Sequence, residues 1–430
     1  MITVVAVAIF LISYALIATE KVHRVAAALG GVAAMTVIGL VSADSAFFSH
    51  ETGVDWNVIF LLFGMMIIVS VLRRTGLFEF MALWAARASR GRPVRLMILL
   101  VLVTAVFSPI LDNVTTVLLI APVTLSVCRR LGLPSAPFLI SQVLAANVGG
   151  TSTLIGDPPN IIIGSRAGLT FDDFLIHALP LTVILMIGLV FLLRRLFRDQ
   201  LHTDVDIERE LSSVRPTDAI TDKGLLIRCL VVLGAVMIAF ALHTVSHFDP
   251  SVVAMLGAGA MVVVSRTQPK EFMADVEWST LAFFMALFVL VGGLVEVGVI
   301  GQLGHVAAGL MAGDQLLGAT VLLFGSAVVG AFVDNIPYTA AMVPIVEQMV
   351  ASTDLSGADS PLWWAFVFGA DLAGNATAVA AGANVVVLGI AAKAGEPISF
   401  WQFTRYGIVV TAATLAVAWV YVWLRYFVLA

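Results

Sequence analysis

NVGGTSTLIGDPPNIII, residues 147–163, sets three Gly, two Pro, two Asn, an Asp and three hydroxyl side chains between apolar segments. The whole chain is 60% hydrophobic and only 12% charged, whereas soluble domains carry roughly 25% charged residues. Gly149, Gly150, Pro158 and Pro159 deny this stretch a continuous helix. Irregular backbone at membrane depth persists only where protein buries it or where it lines a cavity. The stretch therefore predicts a broken helix inside a polytopic membrane protein. Its freed amides and carbonyls would join Thr151, Ser152, Thr153 and Asn160 as ligands. The half-helix ends would aim dipoles at the gap, N-termini favouring anions and C-termini cations.

Working outward, apolar runs recur at 2–18, 25–42, 57–73, 178–196, 225–243, 251–265, 279–297 and 405–424. Such lengths match a hydrocarbon core of about 30 Å at 1.5 Å rise per residue. The first run lacks a basic flank and a small-residue cleavage site, so it reads as a spanning helix and not a signal peptide. Four other segments are not simple spans. Segments 95–130 and 317–352 are apolar pairs around the polar tips SPILDNVTT and VDNIPYT, and 137–164 and 362–393 are long and broken.

These pieces repeat. An offset of 222 carries Asp112-Asn113 onto Asp334-Asn335, VDW (54–56) onto VEW (276–278) and Gly76 onto Gly298. An offset of 224 carries Gly150, Thr153 and Asn160 onto Gly374, Thr377 and Asn384. The first repeat spans 1–196, with scaffold helices over 2–73, a hairpin, a broken helix and the helix 178–196. The charged segment 197–224 is a cytoplasmic linker. The second repeat spans 225–430, with scaffold helices over 225–297 and a last helix at 405–424.

A re-entrant hairpin adds no crossing, so each half crosses five times, and an odd count forces an inverted repeat. The fold class is thus an all-α polytopic membrane protein built from two inverted five-crossing halves. With both termini outside, 21 of the 23 Lys and Arg residues fall inside, as the positive-inside rule requires. Only Arg166 and Arg425 stay outside. The expected location is the cell membrane, as a multi-pass protein in lipid. The net charge of −5 gives no sign of a nucleic-acid partner.

Asp112, Asp157, Asp334 and Asp371 all fall in the four irregular segments. A carboxylate at mid-bilayer costs about 2.5–3.5 kcal/mol on insertion scales, and those segments supply no cation beside them. The acids must be protonated, bind cations, or accept amide hydrogen bonds. Asp157, whose repeat counterpart is Ala381, also fits a turn-holding role before Pro158. Asp371 has Asn147 as counterpart. A site with several acids and no fixed cation suits a cation, a proton or a neutral hydrogen-bonding solute. Cys128 and Cys229 fit two readings: small packing residues, or a thiol pair for a soft metalloid.

LDNVTTVLLIAPVT (111–124), NVGGTSTLIGDPPNIII (147–163), VDNIPYTAAMVP (333–344) and GADLAGNATAVAAGANVVV (369–387) together resemble the ion transporter superfamily. That superfamily holds arsenite permeases, NhaD-type sodium/proton antiporters, the melanosomal P protein and dicarboxylate carriers. The resemblance is strongest to the actinobacterial and P-protein-like branch labelled as arsenite permeases. It implies a scaffold of outer helices around a mobile unit of two hairpins and two broken helices, moving by an elevator-like motion, often in a homodimer. Carried over by position, Asp112, Asn113, Thr115 and Thr116 form one tip, and Asp334, Asn335, Tyr338 and Thr339 the other. Asn147, Gly150, Thr151, Ser152, Thr153, Asp157 and Asn160 line one break, and Asp371, Asn375, Thr377 and Asn384 the other. The dicarboxylate carriers bear Ser-Asn-Thr at their tips; here the tips read Asp-Asn-Val-Thr and Asp-Asn-Ile-Pro.

The expected function is secondary active export of arsenite or antimonite, as the neutral trihydroxide, in exchange for protons through Asp112 or Asp334. Three rivals remain: a sodium/proton antiporter with sodium at the helix breaks, an anion channel, and a carboxylate carrier. Proton or sodium is the coupling ion, and no other cofactor is expected. No GxxxxGK[ST] loop occurs in the chain, so any ATPase contribution would come from a cytoplasmic partner. No HExxH and no nucleophile–base set marks an enzyme.

Overall fold

The computed structural model describes residues 2–19, 22–201, 215–243, 248–311 and 313–429. The first half begins with α1 (Ile2–Thr19), α2 (Arg24–Val37), α3 (Ala43–Phe47), α4 (Trp56–Arg73) and α5 (Leu77–Ala88). A hairpin follows, α6 (Pro93–Leu111) and α7 (Asn113–Arg130), then a broken pair, α8 (Ser135–Gly150) and α9 (Pro158–Ala167). Helices α10 (Phe171–His177) and α11 (Leu179–Phe197) close this half. The second half runs through α12 (Lys223–Ala241), α13 (Pro250–Ser265), α14 (Pro269–Asp275), α15 (Trp278–Glu296) and α16 (Val299–Met311). Its hairpin is α17 (Gln315–Gly330) and α18 (Asn335–Ala351), its broken pair α19 (Pro361–Ala373) and α20 (Gly382–Lys393), and its last helix α21 (Phe400–Trp423). No strand occurs among the described residues, and seven helices are long and apolar enough to cross a membrane. Within the expected linker 197–224, residues 202–214 lie outside the described residues.

Two contacts show how the halves face each other. Arg24, at the start of α2, reaches Thr280, at the start of α15. Asn57, at the start of α4, accepts a hydrogen bond from Ser251, at the start of α13, at 3.0 Å. Second helix meets third helix in both cases, start to start. Successive spanning helices alternate in direction, so this exchange fits only halves of opposite orientation. α4 and α13 pack intimately because Gly64 has no side chain; a Cβ there would sit 2.7 Å from the Ala254 carbonyl carbon.

Burial separates the layers. All of α19 is buried, and all of α8 except Ala136. By contrast α1 buries only Ala6, Ser13 and Ile17. A helix apolar all round and buried all round belongs at the centre. The broken helices are therefore the core, while α1 presents its apolar surface outward, where lipid would lie.

Several boundaries differ from the sequence reading. The expected span 25–42 stops at Val37, because Gly39 turns left-handed at φ 74° and Leu40 N bonds back to Met35 O. The last helix starts at Phe400 and not 405, because Ser399 caps it by accepting from Gln402 N. Helices α5 and α16 were not anticipated. Each begins just after a repeat-related glycine with positive φ, Gly76 at 77° and Gly298 at 74°. They are too short and too polar on one face to read as spans.

Candidate functional site

The polar residues of the opening stretch first repair the backbone that the break leaves open. Asn160 Nδ2 donates to Gly150 O (3.3 Å) and Thr153 O (3.0 Å), across the gap between α8 and α9. Asn384 Nδ2 does the same in the second half, to Gly374 O and Thr377 O, both at 2.7 Å. Thr153 Oγ1 donates to Pro109 O and Thr377 Oγ1 to Ala331 O, each at 2.6 Å, pinning each break to its own hairpin. Thr151 and Ser152 donate to Asn147 O and Gly149 O. These side chains take over work that an unbroken helix leaves to the main chain. Gly150 is required by the turn itself, as a Cβ would fall 2.5 Å from Gly156 O.

Beneath these bonds lies a sealed polar cluster. Asn113, Asn147, Asp157, Asn160, Asp371, Asn375 and Asn384 are all buried. Asn113 Nδ2 donates to Asp157 Oδ2 (2.7 Å) and Asn147 Oδ1 (3.1 Å). Asn147 Nδ2 faces Asn375 Oδ1 at 3.0 Å and Asn384 Oδ1 at 3.1 Å. Asn147 thus ties the two repeats together. Asp157 is more than a turn residue, because it bonds the first tip and lies near Asp371. Among the described residues, one oxygen of Asp157, both of Asp371, Asn160 Oδ1, Asn335 Nδ2 and the hydroxyls of Thr116 and Thr339 make no hydrogen bond of ordinary geometry, although Asn335 lies beside Asp157, and Thr151 and Asn160 beside Asp371. Buried oxygens in this condition call for a proton, a cation or a hydrogen-bonding solute.

The two tips open elsewhere. A cavity of about 370 Å³ is lined by Asp112, Thr115 and Pro158 from the first repeat, and by Asp334, Ile336 and Gly382 from the second. Its far wall is Arg24, Glu277, Thr280 and Phe283. Asp112 adopts φ 91° and caps α7, accepting from Thr115 N and Thr115 Oγ1 at 2.7 Å each. Asp334 caps α18 through Ile336 N at 3.1 Å. Glu277 and Asp157 hold the N-cap positions of α15 and α9. The N-termini of α2, α7, α9, α15, α18 and α20 all border this chamber. Partial positive charge at those ends accounts for the acids' placement.

One expectation is corrected here. The acids do have a fixed cation nearby, Arg24, whose Nη1 lies 3.9 Å from Asp334 Oδ2. Its guanidinium stacks over Phe283 at 5.3 Å and its Nη2 reaches Thr280 Oγ1 at 3.4 Å. Arg24 sits on a scaffold helix far from the irregular segments in sequence, so no local pattern reveals it. Glu277 was legible as the repeat partner of Asp55. Tyr338, assigned to the second tip, is buried, and its hydroxyl donates to Ser326 Oγ inside the hairpin at 2.9 Å. Cys128 and Cys229 are both buried and free.

Residues 14–369 match the family model described as citrate transporter, CitMHS. The chain belongs to this family. It is 52% identical to an uncharacterized transporter of Mycobacterium tuberculosis over 99% of both chains. It is 51% identical to a 46 kDa membrane protein of Mycobacterium leprae, over 99% of this chain and all of that one. The human P protein is 33% identical over 97% of this chain, which spans 59% of that longer protein. Among solved structures, the Alcanivorax borkumensis YdaH transporter superposes with a TM-score of 0.61 over 98% of each chain, at 12% identity. Neisseria gonorrhoeae MtrF superposes at 0.50 over 94% of this chain and 85% of that one. The fold is that of a membrane transporter, and the relatives are transporters, not enzymes.

Proposed function

We propose that this CitMHS-family transporter works by alternating access and exports arsenite or antimonite, as the neutral trihydroxide, in exchange for protons. Supporting this are the Thr115 and Thr280 hydroxyls that line the chamber and the helix N-termini that border it, which suit an uncharged polyhydroxyl, beside Asp112 and Asp334, which can trade protons with it. One guanidinium facing three carboxylates gives a multivalent anion no net attraction. The Arg24 side of the chamber is the cytoplasmic side, both termini are outside, and the chain is a homodimer in the cell membrane.

A second reading is favoured by Arg24, by the ring of helix N-termini and by the description of the family: a carboxylate carried together with a co-bound cation. Proteoliposomes under an imposed proton gradient separate the two, with arsenite, citrate plus a divalent cation, and sodium compared. Proton-coupled arsenite flux that falls at least tenfold in Asp112→Asn or Asp334→Asn supports the first reading. Flux of citrate alone among the solutes replaces it with the second, and sodium-driven pH collapse alone replaces it with sodium/proton antiport. Arsenite flux untouched by either substitution removes these two acids as proton carriers.

A further inference from the structure

Arg166 is one of two basic residues that the topology leaves on the outer side, and the structure gives it a use. The last turn of α9 carries Ser165 and Arg166, facing the loop that leads into α4. Ser165 Oγ donates to Asp55 Oδ2 at 2.5 Å. Arg166 Nη1 donates to His50 O at 2.8 Å and Nη2 to Glu51 O at 3.2 Å. Asp55 also caps α4, accepting from Asn57 N and Val58 N. The broken helix is thereby fastened to the scaffold at one face of the molecule. Arg166 further sits within electrostatic reach of Glu347 on α18.

At the opposite face the repeat-related surfaces stand apart. Glu277, the counterpart of Asp55, and Val385 and Val386 of α20 line the open cavity. The counterparts of Ser165 and Arg166 on α20 are Gly389 and Ile390. Neither side chain can donate a hydrogen bond.

We propose that Ser165 and Arg166 form a one-sided latch, which positions α9 on the scaffold and holds the chamber open toward Arg24, and that the second repeat has no equivalent. Exposing the chamber to the other side requires Ser165 and Arg166 to leave the 48–55 loop. Glu277 then meets a glycine and an isoleucine, and the lost bonds are not replaced. Two inverted halves would otherwise give two states of similar energy. The latch breaks that balance, and a population shift follows from the bonds present in one state only. The inference rests on the alternating-access reading and is independent of which solute is carried.

The test uses the full chain with Val385→Cys as reporter, with Cys128 and Cys229 replaced by alanine, in vesicles of either orientation without solute. Val385 lines the chamber and is 37% exposed. A membrane-impermeant maleimide reports which face the chamber opens to. Ser165→Ala, at an exposed site, and Arg166→Ala should each slow labelling from the Arg24 face at least threefold and speed it from the other. Gly389→Ser with Ile390→Arg should do the same in the otherwise unaltered chain, by giving the opposite state its own latch. Unchanged rates from both faces in Ser165→Ala and Arg166→Ala overturn the latch. A protein that transports yet never labels from the far face, in any variant, overturns alternating access and the latch with it.

Discussion

Replacing Asn147 with alanine should destabilise the fold by about 3 kcal/mol. Asn147 is fully buried and joins the two breaks through hydrogen bonds to Asn375 and Asn384. The substitution leaves Asn113 its bond to Asp157, and leaves Asn384 Nδ2 its two carbonyl acceptors. It orphans the side-chain oxygens of Asn375 and Asn384 and removes the 3.1 Å bond from Asn113. A buried polar atom stripped of its partner costs about 1–3 kcal/mol. Interhelical bonds in membrane proteins average roughly 0.6 kcal/mol, with a maximum near 1.7, so the lower end of that range applies. Two orphans and one lost bond then give about 3 kcal/mol, roughly a hundredfold in the folded-to-unfolded ratio. Reversible unfolding in mixed micelles of rising dodecyl sulfate fraction measures this directly. Thr124→Val is the control, since the Thr124 hydroxyl is buried without a partner and its loss should lie within about 0.5 kcal/mol of neutral. A change below about 1 kcal/mol for Asn147→Ala, with the control neutral, would refute the view that the amide cluster holds the repeats together.

Further expectations follow from the same geometry. Thr153→Val and Thr377→Val remove repeat-related 2.6 Å bonds; each should cost about 1 kcal/mol in the same unfolding assay, and a marked inequality between them would argue against equivalent breaks. In Gly407→Ala, the new Cβ would fall 2.3 Å from Asn375 O, so α21 should be pushed off the second break at a cost of about 1–3 kcal/mol, with transport reduced. Gly259→Ala, where nothing lies within 4 Å, should leave both stability and transport unchanged. Glu396, in the loop after α20, is held below the usual carboxylate range by hydrogen bonds from Ser135 and Arg129. A depressed folded pKa contributes stability above the ordinary carboxylate value and loses it as pH falls through the lowered one. Comparing Glu396→Gln with the parent across acid pH should therefore show a difference at neutral pH that vanishes below that range.

The fold was legible because membrane burial leaves few choices. Backbone groups in hydrocarbon need internal partners, so apolar runs of fixed length became helices, and Gly-Pro clusters became breaks. Duplication supplied the rest of the topology, since Asp112 and Asp334, or Asn160 and Asn384, mark equivalent positions without reference to contacts. The amphipathic helices α5 and α16 escaped because a hydropathy reading looks for runs long enough to span, and these helices have only 12 and 13 residues. The site was legible in its membership but not in its division. Asn113 and Asn147 are sealed in the cluster while Asp112 and Thr115 face the cavity, yet adjacent residues of one motif carry no sign of which way each will point.

Sequence alone therefore determined that this chain has an all-helical membrane transporter fold with acid-bearing breaks in repeat-related places, because each of those properties is written locally or by repetition. Tertiary structure decided what balances the acids. Arg24 lies 310 residues from Asp334 along the chain, and the six helix N-termini around the chamber are scattered through both halves. Charge compensation depends on distance in space, falling off over a few ångströms, and only the folded packing of scaffold against hairpin sets that distance.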